Sequence, residues 1–270
     1  MSLTLARPGL PDAAQADLAL AFNRLEEVSL AARLASLVGQ PIDALKARLP
    51  GPVQAALDGT IRGALKAAMA AALRSDPART PLPLNPTWFH RGMAAATGAA
   101  GGAFGLPGTL AELPVSTTLL LRQIAAVAAA QGEDLSRPDA AAECLKVFAL
   151  GGRNPRDDAA ESGYFAVRVA LAEALKGVAG KGLAGLVLPG FLGPIAARFG
   201  GPVAMKLSAQ AVPLLGAAAG AAVNLAFLEH FRGVAEGHFT VRRLEREYGT
   251  APVRAAYAAL AETRDARFNG

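Results

Sequence analysis

The chain has 270 residues, of which 52% are hydrophobic, only 6% are aromatic and just 18% are charged, with a formal net charge of +5. Since an average soluble domain is about 25% charged, this composition favours closely packed Ala-, Leu-, Val- and Gly-rich helices over sheets. The single cysteine excludes an internal disulfide and a multi-cysteine zinc site.

Residues 1–87 are predicted to form N-terminal helices followed by a proline-rich connector. Residues 12–38 carry large apolar side chains at helical spacing, and Gly39 follows as a stop signal. A second apolar stripe predicts a helix over residues 52–73. The connector then contains prolines at 77, 81, 83 and 86, a spacing that a helix cannot accommodate.

Residues 88–250 are predicted to form a Gly/Ala-rich helical core, with 251–270 as a tail, all in one folded unit. The core opens with residues 92–111, which contain no charge and match a membrane span in length but hold few large apolar groups. Glycines four residues apart allow a neighbouring helix backbone to approach closely, inside a protein core or against lipid. The predicted packing glycines are Gly98, Gly102, Gly105, Gly216 and Gly220.

Residues 174–228 contain no acidic side chain and predict a central apolar helical hairpin. Its arms are residues 182–197, where two prolines argue against a regular spanning helix, and residues 207–228, which are long enough to cross a bilayer. Cations beside apolar segments favour anionic lipid headgroups, although they also keep the ends of a buried hairpin soluble. The candidate lipid contacts are Lys176, Lys181, Arg198 and Lys206.

After Glu229 the pattern predicts a charged amphipathic C-terminal helix. Arg243 and Glu247 are four residues apart and are expected to pair on its solvent side. The run RRLERE balances its bases with acids, so we interpret it as a solvated helix face and expect no nucleic-acid binding.

No catalytic or metal-binding motif is recognisable, and no cofactor or metal is expected. The motifs HExxH, GxSxG and CxxC are absent, and the glycines of GKGLAG follow a predicted helix rather than a strand. His238 is interpreted as a satisfied core histidine. Glu112 is interpreted as capping the next helix or pairing with Arg122, with a raised-pKa acid as the alternative. The candidate functional polar residues are Glu112, Asn224, His230, His238, Arg242 and Arg243.

Several segments resemble the EcsC protein family over about residues 25–250. They are WFHRGMAAATGAAGGAFGLPGTLAELP, RQIAAVAAAQGEDL, DDAAESGYFAVR, AVPLLGAAAGAAVNLAFLEHF and GHFTVRRLEREYG, in family order. The resemblance implies a mostly helical protein associated with membranes or transport, and it carries over no catalytic residue. Its motif positions are Gly98, Gly102, Gly105, Glu112, Pro114, Tyr164, Asn224, His230, His238, Phe239, Arg242, Arg243 and Glu245.

These observations lead to one main functional hypothesis and two alternatives. The main hypothesis is a cytoplasmic all-α protein, peripheral to the inner face of the cell membrane, that acts as an accessory factor in transport or envelope processes. Its partners would be the membrane surface, an apolar ligand, or a transporter or other membrane protein. The alternatives are a soluble helical bundle that binds a lipid or other apolar ligand, and a membrane-proximal enzyme using Glu112, His238 or Arg242.

Overall fold

The computed structural model describes residues 9–26, 30–39, 51–74, 87–152, 163–176, 189–210 and 216–268. These residues form ten α-helices and no strand, which confirms the predicted all-α multi-helix bundle. The helices are α1 (Asp12–Glu26), α2 (Leu30–Val38), α3 (Gly51–Arg74), α4 (Thr87–Ala103), α5 (Gly105–Ala130), α6 (Pro138–Leu150), α7 (Tyr164–Lys176), α8 (Pro189–Gln210), α9 (Gly216–Tyr248) and α10 (Thr250–Phe268).

The N-terminal part of the chain is described as three helices, α1, α2 and α3. The helix expected over residues 12–38 is described as two helices, α1 and α2, and α2 ends at Gly39, whose φ of +68° suits glycine better than other residues. The predicted proline-rich connector lies outside the described residues. At the other end, the predicted tail (residues 251–270) lies almost entirely in helix α10. This helix packs against α1 and α9.

The uncharged stretch 92–111 contributes to two helices that meet at Phe104. Helix α5 continues through Pro114, so the prediction that Glu112 caps a new helix is wrong: this residue lies inside α5. Proline removes one backbone hydrogen bond, but α5 packs against α3, α4 and α9, and tertiary packing supplies most helix stability.

One helical segment among the described residues, Pro107–Ala130, is long and apolar enough to cross a membrane, with a mean hydropathy of 1.4. Its most apolar stretch is 44% buried inside the protein, and a buried core helix satisfies the same criterion of length and composition. The other predicted span, residues 207–228, is divided between the end of α8 and the beginning of α9. In the first arm, residues 189–197 belong to α8, which is helical through Pro194 and Pro202. Residues 182–188 lie outside the described residues, so the prediction that this arm is no regular spanning helix stays a prediction.

Helix α9 is the central element of the fold. Its buried apolar residues recur at helical spacing from Val223 to Leu244 and contact α1, α2, α4, α5, α6, α8 and α10. Helix α4 runs antiparallel to α9, since Arg91 pairs with Glu229 while Gly98 lies against Gly220. An aromatic cluster fills the space between α6, α8 and α9: Phe148, Phe199, Phe227 and Phe231.

Candidate functional site

A buried ion pair joins α5 to α8 and is the centre of what we call the Lys206 network (Thr97, Glu112, Ser116, Lys206 and Asn224). The ammonium of Lys206 donates to Glu112 Oε2 at 2.7 Å and to Ser116 Oγ at 3.1 Å, and its side chain is completely buried. Burial lowers the pKa of Lys206, while the charge of Glu112 opposes that shift. The network therefore holds two charges away from water, and Glu112 pairs with Lys206 rather than with the predicted Arg122.

Asn224 ties this ion pair to α4. Its Nδ2 atom lies 3.1 Å from Glu112 Oε1, 2.7 Å from the Ala94 carbonyl and 2.9 Å from Thr97 Oγ1. Burying an amide among apolar side chains is favourable only where its hydrogen bonds are made, as they are here. The interaction fixes the position of α9 along α4.

The close approach predicted from the glycine spacing occurs where α4 crosses α9. A Cβ atom added to Gly98 would collide with the Gly220 carbonyl oxygen and lie 2.5 Å from Cβ of Asn224. The two backbones therefore approach closely at Gly98 and Gly220. Of the other predicted packing glycines, Gly102 lies in the last turn of α4, and Gly105 and Gly216 are the first residues of α5 and α9.

A second buried cluster, the His238 network, consists of Glu133, Glu143, Lys146, Tyr164, His238 and Arg242. His238 Nδ1 lies 2.8 Å from the Tyr164 hydroxyl, and Nε2 lies 3.0 Å from Glu143 Oε2. Because a carboxylate only accepts hydrogen bonds, Nε2 carries the proton and Nδ1 accepts from Tyr164. Both ring nitrogens are thus engaged, which agrees with the interpretation of His238 as a satisfied core histidine.

Electrostatics keep the His238 network in one protonation state at neutral pH. Burial lowers the pKa of His238, which favours the neutral ring, and raises that of the Tyr164 hydroxyl. Burial alone would raise the pKa of Glu143. The hydrogen bond from His238 and the charges of Lys146 and Arg242 outweigh it, so the pKa of Glu143 is well below its ordinary value. This is the arrangement of a structural network with satisfied partners.

The RRLERE run is a solvated face only in part: Arg246 and Glu247 are exposed, whereas Arg242 and Arg243 are partly buried in ion pairs. Arg242 binds Glu133 through two nitrogens, at 2.7 and 3.1 Å, and also contacts Glu143 at 3.2 Å. Arg243 binds Asp17 of α1 at 2.6 Å, in addition to the predicted contact with Glu247 at 3.4 Å. These ion pairs attach the end of α9 to α1, α6 and the turn after α5.

His230 lies on α9 away from the His238 network. Its Nε2 atom lies 2.8 Å from the Gly151 carbonyl oxygen, and burial lowers its pKa to about 4. The described residues contain no group of three or more His, Cys, Asp or Glu side chains that could hold a metal ion. His230 therefore fixes the end of α6 to α9.

The candidate lipid-contacting cations do not form one surface. Lys206 is buried, so its prediction as a headgroup contact is wrong for this conformation. Arg198 is exposed on α8, and Lys176 is exposed at the end of α7, where it pairs with Glu173 at 2.6 Å. Lys181 lies outside the described residues.

An exposed apolar surface, the apolar tip, is formed where α4 meets α5 and where α9 begins. Phe104 is 76% exposed there. Met93 and Val115 are also exposed, but each lies eleven residues from Phe104, further along α4 and α5. Between residues 92 and 121 the only charged residue is Glu112, whose carboxylate is held in the Lys206 network. Small exposed residues complete the surface: Ala96, Ala100, Ala103, Pro107, Ala111, Ala217 and Ala218.

Two parts of this arrangement were missed in the sequence. Glu143 and Lys146 lie in the apolar run AAAECLKVFAL at i, i+3 spacing, which was the available signal for a buried pair. Glu133 sits in the turn after α5, and no local pattern identifies its arginine partners more than 100 residues later. The hydrophobic pattern also gave no indication that Phe104 is exposed, because it does not distinguish an exposed apolar side chain from a buried one.

The model of the EcsC protein family matches residues 20–244, which is most of the chain. No curated protein and no solved structure matches significantly. The chain belongs to the EcsC protein family.

Proposed function

We propose that this protein associates peripherally with a membrane through the apolar tip and acts there as an accessory factor in a transport or envelope process. The observation that carries the proposal is an exposed phenylalanine where α4 meets α5, among described neighbours from Gly92 to Leu121 whose one charged side chain, Glu112, is buried. Moving an apolar side chain of this size from water into lipid contributes about 2 kcal/mol to the free energy of membrane binding. The surrounding alanines are small, so lipid can approach the helix backbone closely.

The location of the cations supports hydrophobic contact rather than charge as the main attraction. Gln210, at the end of α8, lies against Gly220 near the apolar tip, whereas Arg198 is twelve residues earlier on the same helix. At 1.5 Å per residue this separation is about 18 Å, beyond the roughly 8 Å screening length at physiological salt. Anionic lipid should therefore add little to binding through Arg198.

Vesicle co-sedimentation of the whole protein tests the proposal. Phe104→Asp should reduce the bound fraction on neutral phosphatidylcholine vesicles, and the partition coefficient should fall by at least about tenfold. The matched control is Leu20→Asp, which places the same charge on an exposed leucine of α1, distant from the tip. Equal losses in both variants, or no binding by the unmodified protein, would contradict the proposal.

A spectroscopic experiment locates the contact. The only tryptophan, Trp88, is replaced by Phe, and a new tryptophan is then placed either at Phe104 or at Leu20. Brominated lipid should quench the fluorescence of tryptophan at position 104 and leave that at position 20 unchanged. Quenching at position 20 alone would place the membrane contact on another surface.

A further inference from the structure

A second feature of the fold is a cavity of about 250 Å³ between α1, α4, α5 and α9. Its wall on α5 includes Gln123 and Val127, and Arg232 and Glu236 line it from α9. Gln123 is 18 residues after the first residue of α5, so the cavity lies about 27 Å along that helix from the apolar tip. It belongs to neither buried network.

The charged wall of this cavity is cationic. Glu236 accepts from Arg24 at 2.9 Å and from Arg232 at 3.0 Å, so one carboxylate lies between two guanidinium groups. Arg232 also lies 3.6 Å from Glu229, which is shared with Arg91. Each guanidinium has five N–H groups, more than these contacts use, and both side chains are partly exposed. The wall can therefore donate hydrogen bonds to an anion.

Gln123 provides an independent indication that a ligand binds. Its side chain is only 5% exposed, yet its Oε1 atom has no hydrogen-bond partner among the described residues. A buried carbonyl oxygen without a donor lowers stability, and proteins rarely keep one without a reason. A hydroxyl group on a molecule in the cavity would supply that donor.

We infer that this cavity binds a small hydroxylated anion of the polyol phosphate class. Its anionic oxygens accept from Arg24 and Arg232, a hydroxyl donates to Gln123 Oε1, and its carbon chain lies against Val127. Guanidinium groups suit phosphate because their N–H groups match its oxygens in geometry and charge. The choice of a soluble molecule over a lipid headgroup rests on the proposed function, since the apolar tip holds the cavity away from the bilayer.

Isothermal titration calorimetry of the full chain with glycerol 3-phosphate tests the inference, with inorganic phosphate and glycerol titrated separately. Gln123→Leu should raise the melting temperature, because it removes an unpaired buried oxygen, and weaken glycerol 3-phosphate binding by at least about tenfold. Gln210→Leu is the matched control, since Gln210 is equally buried and also has an unpaired Oε1 among the described residues but does not line the cavity. It should leave the affinity unchanged.

A second variant addresses the charge of the site. Glu236→Gln makes the cavity more cationic and should tighten binding by about threefold or more, the opposite of what general damage to the fold would do. Absence of glycerol 3-phosphate binding, equal binding of inorganic phosphate, or equal losses in the two glutamine variants would overturn the inference. Binding that is restricted to phosphatidylglycerol vesicles and lost in Gln123→Leu would show that the ligand is a lipid headgroup, and would overturn the inference that it is a soluble molecule.

Membrane binding by the apolar tip and ligand binding in the cavity can be tested independently. Phe104→Asp should weaken vesicle binding by at least about tenfold without changing the affinity for glycerol 3-phosphate, because the tip and the cavity share no residue. A loss of glycerol 3-phosphate affinity in that variant would contradict the separation of the two sites.

Discussion

The charged groups inside this protein differ in how completely they are removed from water. Lys206 and Glu112 are enclosed between helices, whereas the side chains of Lys176 and Glu173 form a similar pair that is 73% and 62% exposed. Removing ions from water is costly, and a buried pair recovers that cost only while both partners are present. The same Glu→Gln substitution in the buried pair and in the exposed pair therefore shows how much burial adds to the effect of losing the ion pair on stability.

Glu112→Gln should lower the free energy of unfolding by about 3–5 kcal/mol, because Lys206 is left as an uncompensated buried charge. Glu173→Gln is the control and should change it by less than about 1 kcal/mol. Replacing both buried partners, as Glu112→Leu with Lys206→Met, should recover most of the loss. Urea unfolding measures all three, and a small effect of Glu112→Gln would contradict this role of the pair.

His230 makes stability depend on pH. Burial lowers its pKa from 6.5 to about 4, so between these values the unfolded chain binds a proton that the folded protein does not. The free energy of unfolding should therefore fall as pH decreases, by about 2 kcal/mol from this residue between pH 7 and pH 5. His238 acts in the same direction because burial lowers its pKa too.

The variant His230→Gln should reduce this pH dependence by that amount, and urea unfolding at pH 7, 6 and 5 measures it. Glu173→Gln is the control, since an exposed surface carboxylate should not change the slope over this range. Identical slopes in His230→Gln and the unmodified protein would show that His230 titrates normally in the folded state.

At the scale of helices, the contact of α4 with α9 depends on the absence of side chains at their crossing. The glycine spacing predicts that a neighbouring helix approaches closely, because residues four apart share a helix face. Which helices meet could not be predicted, since Gly98 and Gly220 are far apart in sequence. The same limit applies to Glu112, whose partner Lys206 is 94 residues away. Periodicity identified helices and buried faces, but long-range pairing is decided by the assembled fold.

Gly98→Ala should destabilise the protein by about 1–3 kcal/mol, because the new methyl group would collide with the Gly220 carbonyl oxygen and force α4 and α9 apart. The control is Gly92→Ala in the same helix, where no atom lies within 4 Å of the added Cβ. That change should instead stabilise the helix by about 0.5–1 kcal/mol. Thermal unfolding measures both, and a stabilising Gly98→Ala would contradict the close crossing.

At the scale of the whole molecule, the apolar and polar ends of α5 face different surroundings. The beginning of α5 contributes to the apolar tip, whereas its second half lines the charged cavity. Between them, Glu112 and Ser116 bind Lys206 on α8. Moving all of α5 into a bilayer would break this ion pair or carry it into hydrocarbon, which is unfavourable for an uncompensated charge. The membrane contact that we propose is therefore shallow rather than spanning.

Fractionation of cells that produce the native protein should recover it in the membrane pellet. High salt should leave it bound because the attraction is hydrophobic, and alkaline carbonate should release it because no complete helix enters the bilayer. Phe104→Asp should shift the protein to the soluble fraction, whereas Leu20→Asp should not. Resistance to carbonate would instead indicate that the segment Pro107–Ala130 leaves the protein core and crosses the membrane, at the expense of its pairing with Lys206.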